Sequence, residues 1–210
     1  MKKQTIMFSR LNYVTCALFL ISIVLGVNAW SSINRSSAGQ EKAEDKIVKH
    51  LSYPNQPVEI GNLDVKGKAI RLNEKMGENG DDWLSNLSIT VKNISDKTIT
   101  CVEINLDFPE TKTTGNMMSF PLKYGQNPQA RIVTGQPESL PPNQNVTIDL
   151  SGKLSADLKD FIEKRHPLNS LKKVAIHVNQ VCFEDGTIWS SGSFFRPDPN
   201  SPSKYIRIGN

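Results

Sequence analysis

The feature that most constrains the fold of this 210-residue chain is an alternating stretch between positions 83 and 110. Apolar residues occupy every second position in two runs, 87–91 and 102–108, and polar turn-forming residues separate the runs at 93–96. This alternation is typical of strands with one buried and one solvated face, which antiparallel sheets provide. The stretch therefore predicts two antiparallel strands joined by a tight turn.

Strand patterns also occur before and after this pair. The remaining predicted strands are residues 58–65 with 69–72, 120–124, 146–150, 171–183 and 188–195. Apolar residues at helical spacing over 155–165 predict one helix of about three turns, capped by Ser155 and stopped by Pro167. We predict a mainly β protein, an immunoglobulin-like antiparallel β-sandwich with one short helix between the fifth and sixth strands.

The first 29 residues have the pattern of an export signal. Lys2, Lys3 and Arg10 give a basic start, and residues 14–27 are almost wholly apolar. Small residues then occupy the positions where a signal peptidase cuts. We therefore predict a signal peptide over 1–29, cleaved after Ala29, and an exported protein that is periplasmic or extracellular.

The alternative for this segment is an uncleaved membrane anchor over residues 11–30, since a span takes about 20 residues. Residues 30–56 are polar and Ser-rich and predict a flexible tether, in which 41–51 forms at most a marginal helix. The sandwich domain is predicted over 57–196, a size that suffices for one core. The proline-rich residues 197–210 are predicted to form an extended tail.

The charge of the chain argues against a nucleic-acid partner. The full chain has a net charge of +4. The predicted signal peptide contains three basic residues and no acidic one, so cleavage leaves 22 of the 25 Lys and Arg against 21 Asp and Glu. The mature chain, at +1, lacks the basic field that attracts a phosphate backbone. We expect no nucleic-acid partner, and membrane contact only through an uncleaved signal anchor.

Two cysteines, Cys101 and Cys182, remain after cleavage, and export would expose them to oxidation. Sandwich topology makes the third strand (99–108) and the sixth (171–183) antiparallel neighbours, with the start of one beside the end of the other. Strand parity places Cys101 on the polar face and Cys182 on the core face, unless a bulge near residues 179–180 turns Cys182 outward. We predict this bulge and a Cys101–Cys182 disulfide, which requires Cα atoms within about 7 Å.

The turn at residues 91–95 and the alternating strand after it carry a resemblance to known proteins. Residues 86–108 resemble the central strands of immunoglobulin-like modules in exported bacterial proteins, the FxLYD and CARDB-like groups. Residues 142–150 are similar to a later strand of these modules, with Asn143 where a glycine is usual. The resemblance implies an extracytoplasmic adhesive or accessory module, and it supplies no catalytic residues.

The loops between residues 111 and 142 are the best candidates for a binding surface, because they combine flexible, aromatic and charged side chains. The candidate binding residues are Met117, Met118, Phe120, Tyr124 and Arg131. Core filling by Met117 or Met118 is the competing interpretation. Trp83 and Trp189 are predicted to lie in the core rather than to stack on a sugar.

Catalytic and metal-binding patterns are weak in this chain. His177 lies between two core positions and is predicted to be solvated on the outer sheet face, without the HxH or HxxxH spacing of a metal site. Glu184 and Asp185 carry carboxylates, but a hairpin tip supplies too few of the about 6–8 oxygens that calcium takes. We expect no catalytic residue, no metal site and no cofactor.

These patterns favour a non-enzymatic interaction or accessory module of the cell envelope or extracellular space. Its expected partner is a protein or another envelope component. The alternative is a carbohydrate- or small-ligand-binding domain that uses the loops 111–142.

Overall fold

The chain forms two β-sheets around a shared apolar core, as the computed structural model of residues 46–76, 83–127 and 138–208 shows. The predicted mainly β sandwich is confirmed. The strands are β1 (Lys46–Leu51), β2 (Val58–Val65), β3 (Lys68–Ile70), β4 (Lys75–Met76), β5 (Leu87–Asn93), β6 (Ile99–Phe108), β7 (Met118–Gly125), β8 (Asn145–Leu150), β9 (Lys173–Phe183), β10 (Ile188–Ser190), β11 (Ser193–Asp198) and β12 (Ser201–Ile208).

The smaller sheet has the strand order β3-β2-β5-β8 and is antiparallel throughout. The larger sheet is built around β9, which pairs with β6 on one edge, and β6 pairs in turn with β7. On its other edge β9 pairs with β1 through its first half and with β10 through its second half. Strand β4 extends the sheet beyond β1, and β11 and β12 extend it beyond β10.

The core forms where the apolar faces of the two sheets meet. Alternate residues of β5 and β6 are buried as the sequence predicts, and Ile104 and Leu106 are fully inaccessible to solvent. Trp83 and Trp189 are also fully buried, which confirms their predicted place in the core. Burial of a large apolar side chain contributes about 1.5–3 kcal/mol, so this shared core is the main source of stability.

The helix α1 (Gly152–Glu163) lies between β8 and β9. It buries Leu158 and Ile162, and the ring of Phe161 lies 5.9 Å from that of Phe120 on β7. The predicted start at Ser155 is wrong by one turn, because the chain enters the helix at Ser151 and Gly152. Two 3-10 helices, Pro109–Thr114 and Leu168–Ser170, complete the connections at this end of the sandwich.

The structure corrects the predicted tether at its C-terminal end. Residues 46–51 form β1, parallel to β9, rather than part of a flexible segment or a helix. Ile47 N donates to Lys172 O over 2.8 Å, and Lys46 Nζ donates to Leu171 O over 2.9 Å. Strand β9 lies about 125 residues away in sequence, so no local sequence pattern predicts that β1 pairs with it.

The structure also corrects the C-terminal part of the prediction. The return strand 188–195 is broken by a two-residue turn, Ser191-Gly192, with φ values of 47° and 94°. Positive φ at both central residues is the signature of a tight hairpin turn whose twist matches that of strands. The predicted tail 197–210 contains β12, which pairs antiparallel with β11.

The predicted signal segment 1–29 and the tether up to residue 45 lie outside the described residues. Within the residues that are described, no helix is long and apolar enough to cross a membrane.

Candidate functional site

A groove of about 360 Å³ opens on one side of the sandwich, where four separate chain segments meet. We call it the Arg207 groove. The segments are the connection from β1 to β2, the turn from β5 to β6, the start of β11 and the end of β12. The lining residues are Asn55, Gln56, Pro57, Ile94, Ser95, Gly192, Ser193, Phe194, Arg207 and Ile208.

The wall formed by Ile94 and Ser95 is held in place by the fully buried side chain of Asn93. Its Nδ2 donates to Lys97 O over 2.8 Å and to Leu140 O over 2.9 Å, and its Oδ1 accepts from Ser95 N over 2.9 Å. Buried polar groups with all their partners are rigid structural elements. The Asn93 network therefore fixes the turn and leaves the Ile94 side chain outside, 51% exposed.

The opposite wall is set by the β10–β11 turn. A Cβ atom on Gly192 would lie 3.3 Å from Cδ of Pro54, so this position accepts little more than glycine. Trp189 Nε1 donates to Pro54 O over 3.3 Å, which ties the same segment to the core. The two contacts hold residues 55–57 beside the start of β11.

Arg207 gives the groove its charge. Among the described residues it is the one ionisable side chain that lines the groove, and it is exposed. Its guanidinium makes no ion pair or hydrogen bond with the residues that the structure describes. Gln56 in the same lining donates from Nε2 to Val58 O over 2.7 Å, while its buried Oε1 accepts no hydrogen bond there. The groove thus presents, beside apolar walls, a cation that has no partner among the residues described.

A second polar feature is the pair formed by Asp107 and His177, and it corrects the prediction that His177 is solvated. His177 is only 8% exposed. Its Nδ1 lies 3.2 Å from Oδ2 of Asp107, at ion-pair distance, although no hydrogen bond to Nδ1 meets ordinary geometry. Strand β1, which the sequence did not predict, pairs Leu51 with His177, and the ring of Tyr53 lies 5.7 Å from the imidazole.

Ser119, Asp107 and His177 are not arranged as a catalytic serine triad. Ser119 lies opposite Asp107 on β7, and its buried Oγ has no hydrogen-bond partner among the described atoms. The carboxylate therefore lies between the hydroxyl and the imidazole. Activation of a serine needs the imidazole in the middle position.

Asp185 serves the hairpin turn between β9 and β10. Its Oδ1 accepts from Thr187 N over 2.9 Å, and its Oδ2 lies 2.7 Å from Lys97 Nζ. Burial alone would raise the pKa of Asp185, but these hydrogen bonds and the Lys97 charge lower it to about 2. The Asp185 carboxylate thus links two turns, its own β9–β10 hairpin and the β5–β6 turn that carries Lys97. Across residues 46–76, 83–127 and 138–208, no cluster of three or more His, Cys, Asp or Glu could hold a metal ion.

Four of the residues predicted to bind a partner are described by the structure, and none of these four lines the Arg207 groove. Met118 and Phe120 are buried in the core, and Tyr124 packs partly against it, where burial and the charge of Glu138 raise its pKa. Met117 is the most exposed of these four described residues, at 37%. Arg131 lies outside the described residues.

Sequence reasoning missed the groove because its walls come from segments far apart in the chain. One local signal was present. Ile94 is an apolar residue inside a turn whose neighbours are polar, and Ile206 and Ile208 alternate with Tyr205 and Arg207 in a strand-like pattern. The prolines at 197–202 led instead to the prediction of an extended tail.

Comparison with protein-family models, with curated proteins and with solved structures finds no match to the chain.

Proposed function

We propose that this protein is an exported, non-enzymatic interaction module that binds its partner through the Arg207 groove. The observation that carries the proposal is the exposed Ile94 side chain in one groove with the guanidinium of Arg207, which has no partner among the described residues. An apolar surface with a polar rim is characteristic of an interaction site, and here Ile94 lines the groove together with Phe194 and Ile208. The volume of about 360 Å³ falls in the lower part of the range of ligand-binding clefts.

The chemistry of the groove favours binding over catalysis. General acid–base and nucleophilic catalysis use His, Asp, Glu, Lys, Tyr, Cys, Ser or Thr, and a serine nucleophile needs a neighbouring base to activate it. Among the described residues, the lining has Ser95 and Ser193 of these types and no His, Asp, Glu or Lys beside them to act as that base. Asp107 and His177 are buried in another part of the sheet and do not line the groove.

Two features support export. The basic and apolar pattern of residues 1–29 is that of a signal peptide. Cys101 and Cys182 lie at disulfide distance, with their Cα atoms 4.9 Å apart, and such pairs persist in oxidising compartments.

Site-specific photocrosslinking in the cells that make the protein would test the proposal. A benzophenone amino acid is placed at Ile94 in the groove or at Met117 in the loop after β6, the second position being a matched control because both side chains are exposed and apolar. We expect discrete adducts from position 94 and none from position 117. Adducts from 117 alone would instead favour ligand binding by the loops 111–142, and no adduct from 94 would refute the groove as the binding site.

A further inference from the structure

The strongest clue to the kind of partner is the charge of the Arg207 groove. Arg207 stands at the end of β12, opposite Phe195 of β11, and its guanidinium is unpaired among the described residues. The lining contains no Asp or Glu that could neutralise it. A planar guanidinium binds a carboxylate through two parallel hydrogen bonds. One free arginine therefore suits a ligand with a single carboxylate better than a polyanion, which calls for several cations.

The apolar part of the lining restricts the ligand further. Ile94, Phe194 and Ile208 are the large apolar side chains of the groove, and Ile94 is half exposed. A ligand with an apolar group next to its carboxylate would cover this surface while the anion reaches Arg207. Burial of that group adds about 25 cal/mol for each Å² removed from water.

The polar part of the lining points to a peptide. Asn55, Ser95 and Ser193 line the groove with polar side chains, which can hydrogen-bond the N–H and C=O groups of a peptide backbone. The volume of about 360 Å³ lies in the lower part of the range of ligand-binding clefts, so it suits one or two terminal residues rather than a long segment.

We infer that the Arg207 groove binds the C-terminal end of a partner polypeptide whose last residue is apolar. Arg207 holds the terminal carboxylate, and the last side chain lies against Ile94, Phe194 and Ile208. Capture of a terminal carboxylate is a known mode of peptide recognition. This inference rests on the proposed function, because it assigns a ligand to the same groove.

Fluorescence anisotropy of the oxidised full-length protein would test the inference. The probe is a fluorescein-labelled hexapeptide Gly-Ser-Gly-Ser-Val-Leu with a free C-terminal carboxylate. The comparison probes are the same peptide with a C-terminal amide and the same peptide ending in Ser. We expect the free acid to bind at least about tenfold more tightly than the amide, the usual worth of a hydrogen bond to a charged group, and more tightly than the peptide that ends in Ser.

Two variants locate the effect. Arg207→Gln should remove the preference for the acid over the amide, and Ile94→Ser should weaken binding of both. Lys204→Gln is the matched control, because Lys204 is an exposed cation on the same strand that does not line the groove. It should leave the preference unchanged. A urea midpoint equal to that of the wild type would show that Arg207→Gln folds normally.

Equal binding of the acid and the amide would overturn the inference and leave the groove as a binding site for other chemistry. The inference is also overturned if neither peptide binds while position 94 still crosslinks to a partner. If Lys204→Gln weakens binding as much as Arg207→Gln, the attraction is a general surface charge, and the inference fails as well. Loss of crosslinking at position 94 is the separate result that removes the proposed function itself.

Discussion

Cys101 on β6 lies directly opposite Cys182 on β9, with the two Cα atoms 4.9 Å apart. Each strand carries one extra residue near the pair, Thr100 on β6 and Asn179 on β9, where the register shifts. The two shifts let both cysteines form a small cluster of their own with Ile188, apart from the main core. Val181 and Phe183 meanwhile remain in that core.

Removal of this link should destabilise the protein strongly. A disulfide between residues 81 apart in sequence is worth about 4–5 kcal/mol in the chain-entropy model. We expect the Cys101→Ser, Cys182→Ser double variant to lower the free energy of unfolding by that order, measured by urea unfolding. The wild type in reducing buffer should behave like the variant. Two titratable thiols in the unreduced, denatured wild-type protein would contradict the pairing.

The disulfide also shows how far sequence reasoning reaches in this chain. Strict alternation along the strands places the two cysteines on opposite faces of the sheet. The predicted bulge near residues 179–180, which brings them to the same face, is present at Asn179. Period-two alternation likewise predicted β2, β5, β6 and β8 nearly to the residue. Alternation is local, and each of these strands turns one apolar face to the core, so the pattern is strong.

The errors at β1, at His177 and at the groove share one physical cause, which is contact between segments distant in sequence. β1 forms by pairing with an edge of β9, and the burial of His177 follows from that pairing. The groove needs Ile94 and Arg207, which lie more than a hundred residues apart in sequence. Neither residue carries a motif, so only the folded structure brings them together.

The buried pair of Asp107 and His177 should be coupled energetically. We expect His177→Ala to be destabilising, by about 1–3 kcal/mol, because it removes the imidazole that lies 3.2 Å from the buried Asp107 carboxyl. Asp107→Ala should have a similar cost for the reciprocal reason. Urea unfolding of both single variants and of the double variant forms a double-mutant cycle.

The cycle distinguishes interaction from simple packing. If the two groups stabilise each other, the double variant is less destabilised than the two single variants combined. Costs that add without any coupling energy would show that His177 acts only as a packed ring against Tyr53. A pair of distant variants, His177→Ala with Asp64→Asn, should be additive and serves as the control.

Core substitutions should distinguish buried strand positions from exposed ones. Ile104 and Ile176 are fully buried, so Ile104→Ala and Ile176→Ala should each lower the free energy of unfolding by about 2–5 kcal/mol. The exposed Glu59 on β2 is the control, and Glu59→Ala should cost less than about 0.5 kcal/mol. Urea melts in which all three variants behave alike would mean that the strand faces are wrongly assigned.

Glu103 is a poor solvent-face control, although its place opposite the core suggests otherwise. Its Oε1 accepts from Asn179 Nδ2 over 2.8 Å, and its Oε2 lies 3.1 Å from Lys123 Nζ. Glu103→Ala therefore removes a hydrogen bond at the β9 bulge. We expect it to cost more than Glu59→Ala in the same urea measurement.

The last prediction concerns acid. The pKa of Asp185 is about 2 in the folded protein and 3.8 ordinarily, because hydrogen bonds from Lys97 and Thr187 outweigh the opposing effect of burial. A carboxyl whose pKa falls on folding stabilises the fold above its unfolded pKa, and loses that contribution as the pH falls through its folded pKa. The contribution of Asp185 should therefore be complete above about pH 4 and vanish near pH 2.

Urea unfolding of the wild type and of Asp185→Asn between pH 2 and pH 7 would measure this contribution. Its size should be well below what the full pKa difference implies, since the Asp185 side chain is 48% exposed and water screens the Lys97 pair. The two proteins should differ in stability at pH 6 and converge as the pH approaches 2.

Asp64→Asn is the control, because Asp64 has no such partners among the described residues, and its difference from the wild type should not follow this pH course. A wild-type advantage over Asp185→Asn that persists unchanged to pH 2 would show that the Lys97–Asp185 pair is not what holds the two turns together.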